Sequence, residues 1–147
     1  MTTQVKPASL GLIHKLLILF VVINIIGEVG NVIAWWAVPS MQISLNGGTL
    51  NDVTSPPSLL SKWVGSQDAL IIGSVLLIAV AAAYAYTLIA LRKKQLKAPI
   101  MVITISIVNR LLTLVIFAIS AAFIFWAVWT AILVVVSYLD YQKMKKI

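Results

Sequence analysis

The sequence predicts an all-α polytopic membrane protein built as a bundle of four transmembrane helices. Three observations carry that reading: the composition, four apolar runs of bilayer length, and the positions of the basic residues. Of the 147 residues 61% are hydrophobic and only 10% are charged, with a mean hydropathy of +1.05. A soluble domain is roughly 45–50% apolar and needs polar residues to cover its surface, which this chain does not have in sufficient number. One domain, residues 1–147, accounts for the whole sequence.

The four runs cover about residues 12–38, 69–91, 99–119 and 121–138. Each is close to the roughly 20 residues that cross a hydrocarbon core of about 30 Å. As one continuous helix the stretch 99–138 would measure about 60 Å at about 1.5 Å per residue, twice the core thickness. The chain is therefore expected to turn back near Ser120, although no Gly, Pro or charge marks the turn. The first run has a basic start like a signal peptide, but no small-x-small cleavage site follows it. Glu28 and Trp35-Trp36 stand where cleavage would fall, so the run is expected to be a retained helix.

Orientation is read from Lys and Arg, which are retained on the cytoplasmic side. With the N-terminus inside, Lys6, Lys15, Arg92, Lys93, Lys94, Lys97, Lys143, Lys145 and Lys146 are all cytoplasmic, Lys62 alone is external, and Arg110 lies within a span. The expectation is a multi-pass protein of the plasma membrane with both termini in the cytoplasm. The net charge of +7 follows from this topology, and no nucleic-acid partner is expected.

The external loop, 39–67, carries turn signals at Asn46-Gly47-Gly48 and Pro56-Pro57. After them Leu59, Leu60, Trp63 and Val64 are expected on one side of a short helix lying in the interface as a lid. Ser66 or Asp68 would cap the second span. Trp35, Trp36, Trp63, Tyr138 and Tyr141 fit interfacial aromatic belts. Ala79, Ala81, Ala82, Ala83 and Ala85 give the second span a small surface for close helix contact.

Cysteine is absent, and there are one histidine and four acidic residues. Disulfides, thiolate metal sites and iron–sulfur clusters are thereby excluded, and neither a metal site nor another cofactor is expected. No nucleophile–base pair can be assembled, so a non-catalytic protein is the favoured reading. His14, beside Lys15, and Asp140, near Lys143 or Lys146, are read as interfacial residues, the acid in a surface pair of little value.

Ionisable residues at bilayer depth are costly and mark functional candidates. On the first span Asn24, Gly27, Glu28 and Asn31 share one helix face by their i, i+3, i+4, i+7 spacing. On the third, Ser106, Asn109, Arg110 and Thr113 repeat it. Both spans run the same way, which aligns Asn24 with Ser106, Glu28 with Arg110 and Asn31 with Thr113. A buried polar seam with a central Glu28–Arg110 ion pair is expected, either joining helices or lining a ligand or proton path. Tyr84, Trp126 and Trp129 are candidate pocket aromatics.

These features suit an accessory or assembly subunit of a larger membrane complex, partnered by the lipid bilayer and by other membrane subunits or further copies of itself. The alternatives are a small-molecule or proton-coupled transporter using the Glu/Arg seam, and a quinone- or lipid-binding membrane protein. Four helices with Gly27-Glu28-Val29-Gly30 in the first resemble the small multidrug-resistance transporters. The long external loop and Arg110 depart from that pattern.

Overall fold

The computed structural model describes residues 7–38, 41, 58–117 and 122–146. The expected turns at Asn46-Gly47-Gly48, Pro56-Pro57 and Ser120 lie outside the described residues, as does Lys6. The elements are α1 (Pro7–Ala37), α2 (Leu59–Val64), α3 (Ser66–Arg92), α4 (Lys97–Ile116) and α5 (Ala122–Lys145), and all are helical. Among the described residues four helical stretches are long and apolar enough to cross a membrane: Gly11–Ala37, Ser66–Arg92, Lys97–Ile116 and Phe123–Lys145.

The boundaries differ from the hydropathy reading at several ends. α1 opens with Pro7, whose fixed φ suits the first helical position, and it bends at Gly11 (φ 42°, ψ −134°). α4 stops at Ile116, short of 119, and α5 runs past Tyr138 to Lys145. Hydropathy marks where the apolar stretch ends, whereas helix hydrogen bonding continues through the polar residues beyond it.

α1 packs against α3 and α5, and α4 packs against the same two helices. The four long helices thus form a ring in chain order, with α1 and α4 facing each other across the diagonal. The turn from α3 to α4 is closed by Gln95 N–H donating to Ala90 O (3.1 Å) and Lys94 N–H donating to Leu91 O (2.9 Å). This pair of bonds is a Schellman arrangement, with Lys94 (φ 55°) in the left-handed position where glycine is usual.

The interior holds two apolar clusters, one toward each end of the bundle, with polar residues between them. Toward the α3–α4 turn, Leu17, Val21, Tyr84, Leu91, Val102 and Leu133 form one cluster. Toward α2, Val32, Trp35, Leu60, Leu77 and Ile116 form a second. Trp35 is therefore not a belt residue: it is 1% exposed and its ring centroid lies 5.5 Å from that of Phe117. Gly73 makes room for it, since a Cβ there would sit 3.4 Å from the Trp35 ring and 3.3 Å from Ile116. Trp36 lies at the surface and donates from Nε1 to Ser74 Oγ (2.9 Å).

α2 is capped by Ser58, whose Oγ accepts from Ser61 N–H (3.1 Å), and it packs on α3 and α4. Leu60 and Ser61 face the bundle, whereas Leu59, Trp63 and Val64 are exposed. The four apolar residues of α2 span an arc of about 140° around the helix, and the bundle covers only the Leu60 edge of it. Gly65 (φ 89°) precedes α3 with no side-chain cap, and neither Ser66 nor Asp68 takes that position. Asp68 stands in the first turn, where its charge complements the helix dipole.

Around the outside, Ile26, Ile33, Val75, Ile89, Leu111, Ile124 and Val135 are each more than half exposed. Soluble monomers rarely show apolar surface on this scale. The exterior is suited to lipid, and Ala79 and Ala82 belong to it while Ala81 faces inward.

Candidate functional site

Two polar groupings interrupt the apolar interior, one midway along the bundle and one at the end that holds the α3–α4 turn. The first is made of the residues the helix spacing singled out, joined differently from the expected register.

Glu28 does not pair with Arg110. Its Oε1 accepts from Asn109 Nδ2 at 3.0 Å, a bond that crosses the diagonal from α1 to α4. Arg110, one residue further, is turned about 100° away toward α5. There its Nε donates to Thr130 Oγ1 (2.9 Å) and an Nη1 proton to Thr113 Oγ1 (3.0 Å). The guanidinium carbon stands 6.0 Å from the Phe123 ring centroid. Among the described residues the one ion pair is elsewhere.

The other expected alignments are replaced for the same geometric reason. Neighbouring helix axes lie about 8–10 Å apart and diagonal ones farther, so the longer Glu28 reaches Asn109 across the diagonal whereas Asn24 and Ser106 bond to other helices. Residues from the intervening helices bridge instead. Ser106 Oγ pairs with Tyr84 Oη of α3 (2.9 Å), not with Asn24. Asn24 Oδ1 accepts from Trp129 Nε1 of α5 (3.3 Å), and its Nδ2 donates to Phe20 O (2.9 Å). Asn31 does not reach Thr113, whose hydroxyl donates to Arg110 O (2.9 Å). Of the candidate aromatics, Tyr84 and Trp129 join the seam. Trp126 does not: it is 44% exposed and packs edge-on to Phe125 on the exterior.

The seam is incompletely closed. On the inward stripe of α1, Leu17, Val21, Asn24, Val32 and Trp35 are all buried. Glu28 and Asn31, between them, are partly exposed. Among the described residues Asn31 Nδ2 and Asn109 Oδ1 are buried without a hydrogen-bond partner. Unsatisfied buried groups cost roughly 1–3 kcal/mol each, so this level of the bundle holds hydrogen-bonding capacity that packing does not use. Arg110 has five N–H donors, of which two are taken by described residues.

The second grouping overturns the surface reading of His14 and Asp140. They are 5% and 0% exposed, and His14 Nδ1 lies 2.9 Å from Asp140 Oδ2. The other ring nitrogen, Nε2, faces Leu91 O at 2.9 Å. A carbonyl can only accept, so Nε2 carries a proton and donates it. One side-chain pair thereby ties α1, α3 and α5. Asp140 Oδ1 is also buried without a partner among the described residues. The signal for this tie was present in the spacing. His14 continues the α1 stripe of Leu17, Val21 and Asn24, and Asp140 continues the α5 stripe of Leu133 and Ser137. Adjacent lysines obscured both.

No family model, no curated protein and no solved structure matches this chain. Its functional reading rests on the geometry just described.

Proposed function

We propose that this chain is a non-catalytic subunit of a plasma-membrane complex, with both termini and the α3–α4 turn in the cytoplasm and α2 resting in the external interface. The observation behind it is Arg110. The residue is partly exposed beside the exposed apolar side chains of Ile107, Val108 and Leu111, with guanidinium donors not taken by described residues. A charge presented to hydrocarbon is expensive, by about 2.5–3.5 kcal/mol or more. A partner helix that brings a carboxylate or a free carbonyl to the α4–α5 seam, beside Arg110 and Thr130, removes that cost. The Lys/Arg distribution supports the orientation.

The reading is tested by a photo-crosslinking residue at Ile107, one turn from Arg110 and 48% exposed, and in parallel at Ile26 on α1, 65% exposed. The expected result in native membranes is a discrete product with another protein from position 107 only. Arg110→Met should abolish it while the variant, purified in mild detergent, stays folded. The same products from both positions would overturn the reading.

A second reading, transport of a small solute or protons, is favoured by one observation. Glu28 is held by a neutral amide and not neutralised by a direct arginine contact, and it sits where the inward stripe opens. A crosslinked product consisting only of two copies of this chain would favour it.

A further inference from the structure

The strongest unassigned feature is the charge at the end of the bundle opposite α2. Arg92, Lys93 and Lys94 leave α3 through the Schellman turn, Lys97 opens α4, and Lys143 and Lys145 end α5; all six are exposed. Lys15 on α1 adds a seventh exposed cation beside them. The one acid at this end among the described residues, Asp140, is fully buried against His14 and offers no charge to the outside. Asp68 lies at the other end of α3. The His14–Asp140 tie therefore leaves the end plate uniformly positive.

The cations stand against exposed apolar side chains. Leu96, between Lys94 and Lys97, is 46% exposed, Ile89, one turn before Arg92, is 55%, and Leu139, one turn before Lys143, is 44%. A cation with apolar surface beside it, at the end of helices apolar enough to cross a bilayer, matches a phospholipid at two points. The phosphate meets the ammonium or guanidinium, and the acyl chain lies on the leucine or isoleucine. A soluble polyanion would use the charge and leave the apolar surface uncovered.

We infer that this end of the bundle is a binding surface for anionic phospholipids, centred on the α3–α4 turn. The inference rests on the chain crossing a bilayer and not on the subunit reading, so either can fail alone. Juxtamembrane clusters of four to eight Lys/Arg are strong enough to select anionic lipid.

The test uses the purified full-length protein in detergent micelles, with dioleoylphosphatidylglycerol and dioleoylphosphatidylcholine titrated separately and bound lipid counted by native mass spectrometry. The anionic lipid is expected to bind roughly tenfold more tightly or better. Added salt should weaken that preference. Replacing Arg92, Lys93, Lys94 and Lys97 together by Gln should remove it, whereas Lys62→Gln, at the opposite end, should leave it intact. An unchanged thermal transition in the fourfold variant shows that it is folded. If that transition is lost, Lys143→Gln with Lys145→Gln serves in its place and should lower the preference severalfold. Equal binding of the two lipids would overturn the inference. So would a preference that survives both sets of substitutions, or displacement of the lipid by inorganic phosphate or a short oligonucleotide at matched ionic strength.

Discussion

The two polar groupings inside this bundle have opposite characters. The His14–Asp140–Leu91 tie lies at one end, is fully enclosed, and binds an ionisable pair by two 2.9 Å contacts. The Glu28–Asn109–Arg110 seam lies midway, is partly open, and leaves Asn31 Nδ2 and Asn109 Oδ1 without described partners. In the first, each side chain is committed to another helix, and one enclosed acceptor, Asp140 Oδ1, is left without a described partner. In the second, the bonds that form are fewer than the groups that could make them. The comparison teaches that position at bilayer depth is a poor guide to which polar residues hold a membrane bundle together. Closure is a better one.

That contrast can be broken by stability measurements in detergent. The largest effect is expected at the closed tie. Asp140→Leu should strand the His14 ring in an apolar surrounding and lower unfolding free energy by about 3–5 kcal/mol, the usual cost of removing one partner of a buried pair. The double variant with His14→Leu should recover most of it. A loss below 1 kcal/mol would mean that the tie is not structural.

At the seam the sign should reverse. Asn31→Leu removes a buried donor with no described partner and should stabilise the protein by about 1 kcal/mol or more. Destabilisation on thermal unfolding would show that Asn31 is engaged and the seam closed. A smaller effect separates the observed register from the one the helix spacing suggested. A double-mutant cycle of Glu28→Ala with Asn109→Ala should give a coupling of about 0.6–1.7 kcal/mol. The cycle of Glu28→Ala with Arg110→Met should stay under about 0.5 kcal/mol. The reverse order would restore the Glu28–Arg110 pair. The smallest effect belongs to Trp129→Phe, which deletes the 3.3 Å bond to Asn24 and should cost about 0.6 kcal/mol or less. A larger loss would make Trp129 a main support of the seam.

Much of this was legible without coordinates. The helical spacing selected Asn24, Ser106, Asn109 and Thr113, which are buried, together with Glu28, Asn31 and Arg110, which are partly exposed, and Gly27, which is exposed. It could not say which would touch, because spacing reports the face of one helix and not the distance to the next. The reading of Trp35 as a belt residue and of Asp140 as a headgroup residue failed for a related reason. Both were placed by their distance along the chain from a span end, and burial is set by what packs alongside.

The sequence by itself determined the all-helical class and the four bilayer-length helices, because an apolar run must satisfy its backbone hydrogen bonds internally and helix periodicity is a local property. Only the tertiary structure decided that α1 and α4 are diagonal, that Glu28 meets Asn109 and Arg110 meets Thr130, and that His14 reaches Asp140 across 126 residues of chain. Those pairings depend on the order of helices around the ring and on their relative rotation. Both are set by packing between side chains distant in sequence, such as Trp35 against Gly73 and Ile116, and no local pattern encodes them.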